Sequence, residues 1–331
     1  MKKSSRKTPK KSAMPTAIKS KPAPSKPLRS SAIRPTSPTR TVTFSNLTKI
    51  LYPQTGFTKG QVIEYYQSMT SLILPHLQGR PLTLKRYPNG VEQPFFYEKR
   101  CPSYKPSWML TAHMPSDRHG SIDYCMIDSV EGLAWIANLA SLELHTLLSR
   151  AGNADRPTMM VFDLDPGPPA GMLDCLRLAL KIRDLFAHLK LQIFPKTSGG
   201  KGIHIYVPLN TPVTFDQTKN FARSIALLLE RDDPNKVISS MSRSARQGKI
   251  FIDWSQNDSH KTTVCPYSLR ARPEPTVSTP ITWDEIESTL KSKKPDRLIF
   301  RVSDIIKRTA KIGDLFSPVL TLKQKLPDLK V

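Results

Sequence analysis

Two aspartates one residue apart are the first feature of this chain that could do chemistry. In Met159-Met160-Val161-Phe162-Asp163-Leu164-Asp165 the apolar run reads as a strand, stopped by Pro166-Gly167. Side chains alternate along a strand, so Asp163 and Asp165 project from one face and Leu164 from the other. Carboxylates this close repel, which is tolerable at a solvated strand end or where a divalent cation neutralises them. Hard cations such as Mg²⁺ and Mn²⁺ are held by one or two carboxylates together with substrate phosphates, and two such ions can clamp the oxygens of a phosphoryl transfer. A third aspartate, Asp253, ends the apolar run Ile250-Phe251-Ile252 ahead of Trp254. Buried there without a partner it would cost several kcal/mol. Joining Asp163 and Asp165 around metal is one solution, and a salt bridge to one of the many arginines is the other.

The second feature is Thr197-Ser198-Gly199-Gly200-Lys201-Gly202-Ile203-His204-Ile205-Tyr206-Val207, three glycines with a hydroxyl and a lysine between two strands. Backbone N–H groups of such a loop can approach phosphate oxygens closely, because glycine accepts the needed dihedrals and no Cβ intervenes. The order G-x-x-x-x-G-K-[ST] is absent, so this is not a Walker A loop. In the strand that follows, Ile203, Ile205 and Val207 share one face and His204 and Tyr206 the other. His204 thus points where a ligand of the loop would lie, although a lone histidine is ordinarily a satisfied core residue.

These residues need a scaffold. Thr58 is a plausible N-cap for a helix in which Val62, Ile63, Tyr66 and Met69 recur at helical spacing. Residues 80–100 read as paired strands turning at Pro88-Asn89-Gly90, since Asn-Gly is a strong hairpin signal. An amphipathic helix is expected over 132–149, others over 171–190, 217–231 and 283–291, and strands on both sides of the glycine loop over 191–209. Strands and helices mix without even βα alternation, which predicts an α+β domain with mixed or antiparallel sheets and flanking helices.

Length and charge bound the rest. With 331 residues the chain can bury a sizeable core, and 50 Lys+Arg against 27 Asp+Glu give a formal +23, so a polyanion is the first partner to suspect. Residues 1–40 hold 12 basic residues and no acidic one, with many Ser, Thr and Pro and no aromatics. They are expected to form a disordered arm, with order beginning near Thr41. No apolar h-region follows Met1-Lys2-Lys3 and no stretch approaches a membrane span. The four cysteines, Cys101, Cys125, Cys175 and Cys265, lack C-x-x-C spacing and suggest neither zinc nor a disulfide framework; a reducing cytoplasm fits best.

Together, Tyr87-Pro88-Asn89-Gly90, Phe162-Asp163-Leu164-Asp165-Pro166-Gly167, Thr197 to His204, Phe251-Ile252-Asp253-Trp254-Ser255-Gln256-Asn257, Lys261-Thr262-Thr263 and Pro266-Tyr267-Ser268-Leu269-Arg270 resemble, in order and spacing, the primase-polymerase domain of bacterial ligase D. That domain is a branch of the archaeo-eukaryotic primase superfamily used in non-homologous end joining. The resemblance runs from about residue 43 to about 320, which places a primase-polymerase domain over 41–331 with its metal and nucleotide site at about 85–270. It implies a polymerase that extends DNA 3′ ends with NTPs or dNTPs using two divalent ions, often manganese. Asp163, Asp165 and Asp253 match the family's metal-binding carboxylates. Ser198 and His204, with the Gly199-Gly200-Lys201 loop, match residues around the incoming triphosphate; His145, expected on the 132–149 helix, and Arg270 match further nucleotide positions, and Lys85 a basic contact. Of the run Phe95-Phe96-Tyr97, Phe96 and Tyr97 fall where the family carries two base-contacting phenylalanines, stacking being worth about 1–3 kcal/mol per base; hairpin packing would account for at least one of the three. Lys49 and Lys59 match a pair that binds a 5′-phosphate at a gap or break.

The resemblance further implies DNA with gaps or double-strand breaks as substrate and no membrane. It also implies Ku as recruiter and, since the matched domain fills most of the chain, a separate DNA ligase. The expected location is the bacterial cytoplasm at the nucleoid. Two alternatives stand beside it: a primase that starts chains de novo, and a non-catalytic module that bridges DNA ends.

Overall fold

The computed structural model describes residues 40–116 and 120–327, so the arm expected over 1–40 lies outside the described residues except for Arg40. That residue forks onto Asp128 with contacts of 2.6 and 3.0 Å.

Two sheets carry the architecture. One has five strands in the order Phe194–Thr197, Ile203–Pro208, Met159–Pro166, Ile250–Asp253 and Val237–Ile238. All its pairings are antiparallel except the last, which is parallel. Its helix-covered face is written in the strand alternation: Phe162 and Leu164, Ile203, Ile205 and Val207, and Ile250 and Ile252 pack in one core with the helices Met172–His188 and Phe215–Asp232. The intervening residues, Asp163, Asp165, His204 and Asp253, are therefore left on the opposite face. The longer helix is fixed by Thr214, which accepts from Gln217 N while the Gln217 side chain returns to Thr214 N, a reciprocal cap that satisfies two otherwise orphaned donors.

The second sheet runs Thr262–Val264, Ser141–Leu147, Leu82–Arg86, Gly120–Met126 and Leu110–Ser116, with Phe96–Glu98 also paired to Leu82–Arg86. It packs with the helices Lys59–Ser68 and Val130–Asn138 around Leu82, Leu84, Leu142 and Leu144. Thr58 caps the first of these helices, with Gln61 completing the box, as its position suggested. The result is the α+β arrangement of mixed, mainly antiparallel sheets with flanking helices that the sequence predicts.

Three expectations change. The helix expected over 132–149 is a helix only over Val130–Asn138; Ala140 takes φ +57 and a buried strand, Ser141–Leu147, follows. His145 therefore stands on a strand. The pairing within 80–100 is present, but residues 87–95 form a longer connection rather than a tight hairpin, with Gly90 at φ +93 close against Leu51 O. Cys101 and Cys125 are joined in a disulfide, whereas Cys175 and Cys265 are free and buried. Their spacing carries no signal, because the two meet only where the segment after Phe96–Glu98 crosses the strand Gly120–Met126, with Cys101 N donating to Asp123 O at 2.6 Å. Among the described residues no helix is long and apolar enough to cross a membrane.

Candidate active site

Asp163 pairs with Asp253 across one strand boundary and with His204 across the other, so three of the residues singled out in the sequence meet in one row of the sheet. Asp165 follows on the same face. Asp163 Oδ1 is buried without a hydrogen bond; His204 Nε2 approaches it to 3.2 Å, close but not aligned to donate. Burial and the neighbouring Asp253 push the Asp163 carboxyl up to about 7, and burial and Asp163 push Asp165 up to about 6. His204 is driven the other way, well below its ordinary range, by burial and then by the nearby Lys196 and Arg270 charges, and is neutral.

The carboxylate pair has the chemistry of a divalent-cation site: hard oxygen donors, one of them orphaned, held together against their own repulsion. A bound cation would remove both costs. Asp253 is engaged differently. Its Oδ1 accepts from Ser255 N and Oγ at 3.0 and 2.6 Å and its Oδ2 from Gln256 Nε2 at 3.0 Å. Among the described residues no three acidic, histidine or cysteine side chains form a ready-made cluster, but Asp253 Oδ2 accepts a single bond and keeps a lone pair.

The glycine loop lies beside the carboxylates. Ser198 Oγ accepts from Gly200 N and Gly202 N at 3.2 and 3.3 Å, which turns two loop N–H groups toward one point. Gly199 takes φ +72, a dihedral of the kind the sequence reading invoked, and close packing supplies a further reason for the glycines. A Cβ on Gly199 would stand 2.6 Å from Arg270 Cγ, on Gly200 2.2 Å from Arg272 Nη2, and on Gly202 2.2 Å from Leu164 O. The absent side chains admit two arginines and the strand Met159–Pro166 itself to the loop, and Arg270 Nη1 donates to Ser198 O at 2.7 Å.

Both sheets contribute to a cleft of about 1530 Å³, lined by Phe96, Tyr97, His145, Asp163, Asp165, Ser198, Lys201, His204 and Arg270 among others. Gly199 and Gly200 face a smaller cavity of about 380 Å³ on the other side of the loop, where Lys201 and Arg272 also reach. Lys85 stands behind the cleft wall, its ammonium 4.0 Å from the centre of the Phe95 ring and 3.7 Å from Glu143 Oε1. Phe95, Phe96 and Tyr97 are 48, 44 and 56% exposed, so none of the three is the packed hairpin residue that was expected. Tyr97 sets its edge to His145 and Phe96 lies under the Arg86 guanidinium. Lys49 and Lys59 come together away from this cleft through the backbone bond Lys59 N to Lys49 O of 2.8 Å. Lys59 Nζ is buried and donates to Ser45 O at 2.7 Å, and Lys49 Nζ donates to Asn89 Oδ1 at 3.0 Å.

Two buried charges escaped the sequence reading. Glu143, 2% exposed, sits among Lys85, His145 and Arg270. Lys196, opposite His204 in the register, is fully buried; burial lowers its ammonium to about 7, and it donates to Ser278 Oγ at 2.6 Å. A single charge inside an apolar run, Leu142-Glu143-Leu144 and Phe194-Pro195-Lys196, was the available signal.

The family model for the primase-polymerase domain of LigD matches residues 58–316. This chain belongs to the LigD primase-polymerase family. It is 42% identical over 280 residues to the multifunctional non-homologous end joining protein LigD of Mycolicibacterium smegmatis, covering 84% of this chain and 36% of that protein. It is 30% identical over 275 residues to the bifunctional LigD of Bacillus subtilis, covering 82% of this chain and 43% of the relative. The chain thus spans about a third to two fifths of the length of these relatives. Among solved structures it is similar to the polymerase domain of Mycobacterium tuberculosis ligase D in complex with DNA, with a TM-score of 0.79 and 40% identity over 86% of this chain and all of that one. The fold is that of the archaeo-eukaryotic primase type, and the family is one of nucleotidyltransferases.

Proposed function

We propose that this chain is a DNA-dependent nucleotidyltransferase that extends DNA 3′ ends and fills gaps with NTPs or dNTPs in end-joining repair. The observation that carries the reading is the row Asp253, Asp163 and His204 with Asp165, on the sheet face that opens toward the glycine loop. Asp163 and Asp165, joined by Asp253, would hold Mn²⁺ or Mg²⁺, which when bound neutralises charge on the reacting phosphates. The other roles belong to side chains of this chain. Ser198, Lys201 and Arg270, with the Gly199-Gly200 backbone, hold the triphosphate; the Gly200 N–H, which donates to Ser198 Oγ, would exchange that bond for a phosphate oxygen. His145 and Lys85 complete the nucleotide wall, and neutral His204 offers a hydrogen bond without adding charge beside the carboxylates. Phe96 and Tyr97, exposed at the cleft mouth, stack on bases, an interaction tolerant of sequence. Positioning and charge neutralisation supply most of the rate in such a transfer.

Lys49 and Lys59 lie at the N-terminus of the helix Lys59–Ser68, whose positive dipole end suits a phosphate although its first N–H groups are already taken by Lys49 O, Leu47 O and Thr58 Oγ1; we assign the two lysines the downstream 5′-phosphate. Residues 41–331 make up the polymerase domain and the basic residues 1–40 a tether that adds salt-sensitive affinity for DNA. The names of the relatives place them in non-homologous end joining, which supports Ku and a DNA ligase as partners and the bacterial nucleoid as the site of action. The test is to incubate the chain with a primed gapped duplex, an unprimed single strand and no DNA, each with labelled ribonucleotides and Mn²⁺. Addition to the primed gap alone is expected; products from the unprimed strand would point to priming instead.

A further inference from the structure

Glu143 is buried on the strand Ser141–Leu147, yet it meets cationic or protonated groups from its own strand and two others. Its Oε1 lies 3.7 Å from Lys85 Nζ and 3.4 Å from Arg270 Nε, and accepts from Ala271 N at 3.1 Å; its Oε2 lies 3.0 Å from His145 Nε2. His145 and Arg270 line the large cleft with Glu143 behind them. We propose that Glu143 is a positioning residue for nucleotide binding, a single carboxylate that fixes Lys85, His145 and Arg270 as one array.

Burial alone would protonate such a group. Against that penalty the His145 hydrogen bond and the Arg270 charge hold the carboxyl down at about 2. Ionised, it can only accept, so His145 Nε2 carries the ring proton and Nδ1 is the acceptor nitrogen of the neutral ring. Arg270 is held at both ends: Nε faces Glu143 without the alignment of a hydrogen bond, and Nη1 donates to Ser198 O. Glu143 is thereby connected to the glycine loop through a residue 127 positions away in sequence. Without the carboxylate, Lys85 and Arg270 would repel each other and His145 would be free to change tautomer.

The inference rests on the nucleotide-binding reading above, and the test separates the two. Binding of ATP with Mn²⁺, and of a labelled gapped duplex, is measured for the full chain, Glu143→Gln, Arg270→Ala and the double variant, with ¹⁵N histidine spectra of the first two. Glu143→Gln is expected to weaken ATP binding about tenfold with duplex affinity within about twofold, and to shift one histidine away from the Nε2-protonated tautomer. In the double variant the two losses should not multiply, because the share of the Glu143 effect that passes through Arg270 is already absent from Arg270→Ala. Glu143→Gln binding ATP like wild type, or losses that multiply in the double variant, would overturn the proposal. Should Glu143→Gln not fold, Glu143→Asp takes its place: weaker ATP binding at unchanged duplex affinity supports the array, and unchanged ATP binding overturns it. A wild-type chain that binds no ATP would instead overturn the proposed function.

Discussion

Replacing Asp163 by Asn should make the metal-free protein more stable while removing its activity. Asp163 is raised from 3.8 to about 7, so between those values the folded chain holds a proton that the unfolded chain has released. Stability is therefore fully present below about pH 4, falls as the pH rises toward 7, and is constant above. The whole excursion is worth at most about 4 kcal/mol. Asn carries no charge to repel Asp165 and Asp253 and no proton to lose. Even half of that ceiling, about 2 kcal/mol, corresponds to a rise in Tm of about 3 °C for a domain of this size. The assay is thermal unfolding in EDTA at pH 4.5, 6 and 8. The gain of Asp163→Asn over wild type should grow from pH 4.5 to pH 8. Mn²⁺ should raise the Tm of wild type more at pH 8 than at pH 6, because the cation competes with a proton, and should do little for the variant. An Asn variant no more stable than wild type at pH 8 in EDTA would refute the electrostatic reading of the site.

Other perturbations give equally definite outcomes. Gly202→Ala places a Cβ 2.2 Å from Leu164 O, a backbone atom that cannot step aside, so a lower Tm and loss of nucleotide addition are expected; Gly200→Ala meets only the mobile tip of Arg272 and should keep the Tm while raising the KM for nucleotide. Lys49→Ala/Lys59→Ala should abolish the preference for 5′-phosphorylated gaps in a gap-filling assay and leave addition to a recessed 3′ end unchanged. Deleting residues 1–40 should weaken duplex binding chiefly at low salt, measured by anisotropy, and spare catalysis.

Where alternation along a strand decides placement, the sequence was a reliable guide. Asp163 and Asp165 fall on the face opposite Phe162 and Leu164, and His204 opposite Ile203 and Ile205, because a one-residue slip would bury the charges against the helices. The segment 132–149 misled because its leucines continue the helical spacing of the preceding run although Ser141-Leu142-Glu143-Leu144-His145 alternates with a two-residue period; the turn at Ala140 has no Gly or Pro to announce it. The Cys101–Cys125 bond, Glu143 and Lys196 were hidden for another reason. Their partners are distant in sequence, and a single charge or thiol in an apolar stretch does not say which partner the fold will bring. The glycine loop was located correctly but for an incomplete reason, since its missing side chains make room for Arg270, Arg272 and Leu164 O.

The most direct test of the account is nucleotide addition to a primed gapped duplex by the full chain and by Asp163→Ala, with duplex binding measured in parallel. Wild type should extend the primer when Mn²⁺ or Mg²⁺ is supplied and stop in EDTA, and Asp163→Ala should bind the duplex as wild type does and add nothing. Extension that survives in Asp163→Ala, or a folded, duplex-bound wild type that adds no nucleotide with either metal, would contradict it.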